Sequence, residues 1–146
     1  MSPEANKEVV RRFYEEVINE LKLDLIPELV SAGYTEVMDG HRYEVGIEGA
    51  KAHALGVRET YPDLHLSIDR QIAEAEWVVT CITASGTHSG EWLGIAPTGK
   101  KVRFTGVNVD RVLAGKLVEH GGAANMLGPL LEIGAIRVVG RGESTS

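Results

Sequence analysis

The chain has 146 residues, of which 43% are hydrophobic, and a net charge of −6 at pH 7. These values are typical of one domain, and the lack of a basic patch or arginine-rich helix argues against nucleic-acid binding. No apolar segment is long enough to cross a membrane, and the N-terminus lacks the apolar run of a signal peptide. We therefore expect a cytoplasmic protein with one domain over residues 1–140 and a loose tail at 141–146.

The first sixty residues predict three helices. Pro3 suits the start of the first helix, and apolar residues follow it at helical spacing as far as Leu21. Asp24 is predicted to cap a short second helix over 25–30. Residues 34–46 are irregular and predict one short strand and a loop. The third helix is predicted over 48–61, where Pro62 stops it.

From residue 63 the apolar period changes from 3.6 to 2, which indicates strands. Four strands are predicted at 63–72, 76–90, 101–112 and 116–125, and their short connections indicate antiparallel neighbours. Pro129 then opens a last short helix that ends at Gly134. This order predicts an α+β fold in which a curved antiparallel sheet forms a cone covered by the N-terminal helices.

The last hairpin decides which side chains share a face of the sheet. With a three-residue loop at 113–115, Val112 pairs with Lys116. One face then carries Val107, Val109, Arg111, Leu117, Glu119, Gly121, Ala123 and Asn125. The other face carries Asn108, Asp110 and His120. A two-residue loop would shift the pairing by one, but the first register gathers the apolar residues, and we assign their face to a ligand pocket.

The segment GTHSGEWLGIAPTGKKV (86–102), followed by VDRVLAGKLVEH (109–120), closely resembles the SnoaL-like polyketide cyclase, or ester cyclase, family. The resemblance covers about residues 5–136. It implies the cone of the nuclear-transport-factor-two-like superfamily and an apolar small-molecule ligand, handled without metal or organic cofactor. The sequence also lacks nucleotide-binding and zinc-binding motifs.

The family usually continues after its Glu-His pair with a tryptophan, three variable residues and an aspartate. That aspartate is the acid/base of its aldol-type cyclases. Here the two positions hold Gly121 and Asn125, so the resemblance implies an amide where an acid is usual. Some similar proteins linked to cofactor-free hydroxylation of polyketides carry an amide here too. Asn125 can donate a hydrogen bond to a carbonyl that becomes an enolate, but it cannot remove a proton.

Another group would then supply the base, and His53 on the third helix or Glu119 are the candidates. Arg111 is expected beside Glu119 at the pocket floor, either as a structural ion pair or to orient a carbonyl. The remaining candidates for ligand contact are Tyr14, Val109, Trp92 and Gly121, the last leaving room where relatives have an indole.

Two functions stay open at this point. The first is a cofactor-independent enzyme, a cyclase, isomerase or hydroxylase-like protein, that performs enolate-type chemistry on an apolar carbonyl substrate. The second is a binding module of the same fold that has lost the catalytic acid. An epoxide hydrolase is a weaker third reading, because it needs a pair of carboxylates around a water. An open sheet face with Val112 and Val118 favours a homodimer.

Overall fold

Within residues 2–140, which the computed structural model describes, an N-terminal helical segment is followed by two strands, a long helix, four further strands and a last short helix. The predicted tail at 141–146 lies outside the described residues. The helices are α1 (Pro3–Arg12), continued by a π-helix (Phe13–Asn19), a 3₁₀ turn (Leu23–Leu25), α2 (Ile26–Leu29), α3 (Gly46–Thr60) and α4 (Leu127–Glu132). The strands are β1 (Val30–Met38), β2 (His41–Glu44), β3 (His65–Glu74), β4 (Trp77–Thr87), β5 (Lys101–Leu113) and β6 (Lys116–Asn125).

The strands described here form one open sheet in the order β2-β1-β6-β5-β4-β3. Neighbours among β3, β4, β5 and β6 are antiparallel, as predicted. The sheet as a whole is mixed, because β1 lies parallel to β6. The α+β fold class is confirmed, with the correction that the sheet is not antiparallel throughout.

The segment at 34–46 is a β-hairpin, so our prediction of one short strand and a loop was wrong. Strands β1 and β2 pair antiparallel up to Met38 and His41. Asp39 and Gly40 form the turn between them with positive φ angles of 51° and 77°. An Asp-Gly turn of this kind fits the twist of two antiparallel strands, and it was visible in the sequence.

The helices cover one face of the sheet and bury it. Helix α1 packs on β3, β4, β5 and β6, and α3 packs on β1. Ser2 caps α1, since its Oγ accepts a hydrogen bond of 3.1 Å from the backbone N–H of Ala5. The predicted cap at Asp24 is wrong: this residue lies inside the 3₁₀ turn, and α2 has no side-chain cap. None of the helices in residues 2–140 is long and apolar enough to cross a bilayer.

The predicted register of the last hairpin is also wrong. Ala114 and Gly115 form a two-residue turn with φ angles of 50° and 77°, and Leu113 pairs with Lys116. The register then shifts at a bulge, so that Val112 pairs with Leu117 and Arg111 with Glu119. The bulge adds Val118 to β6 and puts Leu117 on the face of Val112, while the residues from Glu119 to Asn125 keep the face grouping that we had predicted.

Our assignment of one face to the pocket and the other to solvent was reversed. Asp110 pairs with His120 under the helices, and Asp110 is only 1% exposed. Val109, which we had placed in the pocket, lies on the outer face and is 39% exposed. Val112, which we had placed on an open face, is 1% exposed and belongs to the core. The cavity of the protein therefore lies on the face that we had interpreted as polar and solvated.

Candidate active site

A cavity of about 870 Å³ lies between the sheet and the helices. Its wall is mainly apolar and aromatic, with contributions from the π-helix, α3, β1 and the inner face of β3, β4, β5 and β6. The polar side chains that line it include those of Tyr14, Glu36, His53, Asn108 and His120. A mainly apolar cavity with a few converging polar groups is the usual form of a small-molecule site.

The first cluster in the cavity is built around Asp110. Its Oδ1 lies 2.6 Å from Nδ1 of His120, and its Oδ2 accepts a hydrogen bond from the Tyr14 hydroxyl. Strands β5 and β6 place Asp110 and His120 opposite each other, and the π-helix brings Tyr14 to the same point. Since Nδ1 of His120 is engaged by Asp110, Nε2 is the ring nitrogen left for a ligand.

The environment favours the charged form of His120. Burial alone favours the neutral ring, but the negative charge of Asp110 and its hydrogen bond outweigh burial and raise the pKa of His120. Burial and then the charge of Asp110 raise the pKa of Tyr14 well above its ordinary value. Tyr14 therefore stays protonated and donates to Asp110, while His120 can act as a proton donor.

A second cluster comes from α3 and β1. Nδ1 of His53 lies 2.8 Å from Oε1 of Glu36, and the Tyr34 hydroxyl lies 3.5 Å from the same oxygen. Burial opposes the charge on Glu36, but the hydrogen bond and charge of His53 dominate and lower the pKa of Glu36. Glu36 is therefore a carboxylate at neutral pH, and it leaves Nε2 of His53 for a ligand.

The imidazole rings of the two histidines lie next to each other in the cavity. The ring centroids of His53 and His120 are 5.8 Å apart, with an angle of 66° between the ring planes. Each ring is held by its own carboxylate, Glu36 or Asp110. Two imidazoles in different electrostatic surroundings at one site can act as an acid and a base.

Of the residues that the sequence indicated, Tyr14, His53 and Trp92 line this cavity. Asn125 does not, and its predicted place there is wrong. It lies on the outer face of the sheet, in a separate groove of about 430 Å³ that also contains Asp69 and Cys81. Asn125 shares a face with Val107 and Val109, as we had predicted, but this face is the outer one and the cavity lies on the other.

The other predicted pocket residues on β5 and β6 also lie elsewhere. Arg111 and Glu119 are opposite in the sheet but form no ion pair with each other. Arg111 forms a salt bridge of 2.8 Å with Glu76, and Glu119 forms one of 2.6 Å with Arg42. Gly121 opens no extra room in the cavity, because a Cβ atom there would meet Val37 at 3.2 Å.

The residues that sequence reasoning missed are Asp110, His120, Asn108 and Glu36. We had placed the first three together on one face but interpreted that face as solvated. A carboxylate and an imidazole opposite each other in adjacent strands, between apolar neighbours, were the available signal for a buried pair. Within residues 2–140, no three or more His, Cys, Asp or Glu side chains form an arrangement that could hold a metal ion.

Comparison with known families agrees with this geometry. The family model for the SnoaL-like polyketide cyclases matches residues 8–133. The chain belongs to this family. The resemblance seen in the sequence is thereby confirmed, and the matched range contains both histidine–carboxylate pairs. A comparison with curated proteins finds no significant match.

Solved structures of SnoaL-like proteins share the fold. AclR, a proposed hydroxylase from Streptomyces galilaeus, is 27% identical with a TM-score of 0.78, covering 93% of this chain and all of AclR (100%). A proposed SnoaL-like polyketide cyclase from Jannaschia sp. CCS1 is 25% identical with a TM-score of 0.81, covering 94% and 98% of the two chains. IdmH, a proposed polyketide cyclase from Streptomyces antibioticus, is 24% identical with a TM-score of 0.73, covering 88% and 98%.

Proposed function

We propose that this SnoaL-like protein is a cofactor-independent enzyme that performs enolate-type chemistry on an apolar carbonyl compound bound in the main cavity. The observation that carries the proposal is the pair of histidines, 5.8 Å apart, each held through Nδ1 by a carboxylate. Such an arrangement supplies one group that can give a proton and one that can take a proton without any added group.

The two histidines have different roles in this proposal. His120, whose charged form is favoured by Asp110, donates from Nε2 to the carbonyl oxygen and stabilises the negative charge that develops there. His53 takes a proton from the neighbouring carbon through Nε2, and Glu36 stabilises the imidazolium that results. The enolate carbon can then attack a second carbonyl in an intramolecular aldol cyclisation, in which the new alkoxide takes the proton from the His53 imidazolium. In an isomerisation, His53 returns the proton to another carbon instead.

Asn108 is the amide that lines this cavity, and it takes the place that we had given to Asn125. Its side chain approaches the Tyr14 hydroxyl and opposes the rise in the pKa of that group. In our proposal Asn108 helps to fix Tyr14 and Asp110, and thus the orientation of His120. The earlier roles for Asn125, Glu119 and Arg111 are not part of this mechanism.

A test of the mechanism does not require the natural substrate. The protein is incubated with 2-acetylnaphthalene in D₂O, and the loss of the methyl proton signal next to the carbonyl is followed by NMR. We expect exchange faster than in buffer, and a loss of about 10²–10⁴-fold in His120→Gln and His53→Gln. His41→Gln is the matched control, because His41 is exposed on β2 and does not line the cavity.

The binding-module alternative predicts a different result. In that case the ketone binds in a calorimetric titration, but the native protein exchanges its protons no faster than buffer does. Equal rates in His41→Gln and His120→Gln would also contradict the proposed roles, since only His120 lines the cavity.

We further propose that the outer face of the sheet is a homodimer interface. It exposes Trp77, Val107 and Val109, which are 37%, 45% and 39% exposed. Neighbouring exposed apolar side chains on a sheet often mark a contact between proteins. Light scattering after size-exclusion chromatography tests the idea: Val109→Lys should yield monomers, and an unchanged mass for this variant would argue against the interface.

A further inference from the structure

The rim of the cavity carries two glutamates and a tryptophan, which we call the acidic rim: Glu59, Glu91 and Trp92. Glu59 lies in the last turn of α3, and the other two lie in the loop between β4 and β5. All three side chains are exposed. Neither glutamate takes part in an ion pair within residues 2–140.

Close backbone packing holds the two glutamates at the same edge. The N–H groups of Ser89 and Gly90 both donate to the carbonyl oxygen of Thr60, at 3.0 and 3.2 Å. A Cβ atom at position 90 would lie 2.5 Å from the carbonyl oxygen of Glu59, so only glycine permits this approach. The loop is therefore anchored against the end of α3. Two like charges held at one edge of a cavity repel each other unless a cation joins them.

The described part of the cavity wall supplies no such cation. Among residues 2–140, the side chains that line the cavity include no lysine and no arginine. Arg58, next to Glu59 in the chain, points away and donates to the carbonyl oxygens of Ile18 and Asn19, at 2.7 and 2.6 Å. In the described range, the acids that face the cavity are Glu36, Glu59 and Glu91, with Asp110 behind His120. The basic groups that line it there are His53 and His120. The cavity thus carries an excess of negative charge.

We propose that the cavity selects an apolar ligand that bears a positively charged amine, and that it rejects carboxylates. This inference rests on the proposed function, because it assumes that the substrate occupies the same cavity. The carbonyl group lies at the floor, near the two histidines, and the ammonium group lies at the rim between Glu59 and Glu91. The indole of Trp92 adds an aromatic face that attracts a cation.

Three probes with the same bicyclic ring separate charge from shape: 2-(aminomethyl)naphthalene as the cation, 2-acetylnaphthalene as the neutral compound and 2-naphthoate as the anion. Calorimetric titrations at pH 7 and low ionic strength should show the cation bound at least about tenfold more tightly than the anion. The preference should shrink at about 1 M salt, where the screening length falls to about 3 Å.

Variants locate the selectivity at the rim. Glu59→Gln and Glu91→Gln should each reduce the preference for the cation severalfold and leave the affinity for the neutral probe unchanged. Glu74→Gln is the matched control, because Glu74 is also exposed, in no ion pair of the described residues, and lies outside the cavity. It should change neither affinity.

The outcomes distinguish this inference from the function on which it rests. If the neutral probe binds but cation and anion bind equally, or the anion binds more tightly, charge selection is refuted and the proposed function stands. If Glu74→Gln lowers the preference as much as the rim variants do, the selectivity does not come from the rim. If no probe binds, including the neutral one, the assignment of the cavity fails, and with it both proposals.

Discussion

Two buried tyrosines provide a matched test of the hydrogen-bond network in the cavity. Tyr14 and Tyr34 are 2% and 1% exposed, and each hydroxyl approaches a carboxylate, Asp110 or Glu36. Tyr14 makes a close hydrogen bond to a carboxylate that is itself 1% exposed. Tyr34 lies 3.5 Å from its partner, at the limit of a hydrogen bond. The change to phenylalanine removes one hydroxyl in each case.

The structure predicts clearly different costs for the two changes. Tyr14→Phe leaves a buried charge with one partner fewer, and a hydrogen bond to a charged group contributes about 1.5–3 kcal/mol to the free energy of unfolding. Tyr34→Phe removes only a long contact and should cost less than about 1 kcal/mol. Both variants keep the aromatic ring, so the packing of the core changes little.

Urea denaturation of the native protein and both variants measures these costs, from the transition midpoints at a common slope. Far-ultraviolet circular dichroism of the folded variants controls for changes in structure. Equal losses in the two variants, or a loss below about 0.5 kcal/mol for Tyr14→Phe, would refute the network around Asp110.

Three further predictions concern stability and the placement of the site. Because the pKa of His120 is raised in the folded protein, its charged form stabilises the fold: this contribution is complete below the unfolded-state pKa of about 6.5 and is lost as the pH rises through the folded-state value. Urea titrations across this range should show the loss in the native protein, and a similar loss in His120→Gln would contradict it. Gly90→Ala should destabilise the fold, because the new Cβ would lie 2.5 Å from a backbone oxygen. Gly56→Ala, in open space within α3, should stabilise the fold by about 0.5–1 kcal/mol. Thermal melts show whether the melting temperature falls in the first variant and rises in the second. Asn125→Asp should leave proton exchange of 2-acetylnaphthalene unchanged, since Asn125 lies in the outer groove, and a loss of rate would place it in the reaction.

The order of the helices and strands could be predicted because each segment has a clear apolar period. The four long strands begin and end within a few residues of their predicted limits, and β6 has the predicted bounds of 116 and 125. The hairpin of β1 and β2 was missed because its strands lack strict alternation, although Asp39 and Gly40 indicated its turn. The parallel pairing of β1 with β6 joins segments far apart in the chain, and no local pattern reveals it.

The position of the site could be predicted only in part, for a physical reason. His53 and Tyr14 were found because they border apolar helix faces, which the helical period defines. The strand residues were grouped by face correctly, apart from Leu117, but the pocket was assigned to the wrong group. The outer face exposes Val107 and Val109, and the polar group that includes Asp110 and His120 faces the cavity. Asp110 is buried and His120 is mostly covered, since each satisfies the other, and polarity alone therefore suggested solvent.

A crystal structure of the protein soaked with 2-acetylnaphthalene tests the central claim most directly. We expect the carbonyl oxygen to lie about 3 Å from Nε2 of His120, with the methyl carbon next to Nε2 of His53. A ketone bound instead in the outer groove beside Asn125, or in the cavity with its carbonyl turned away from both rings, would contradict the account.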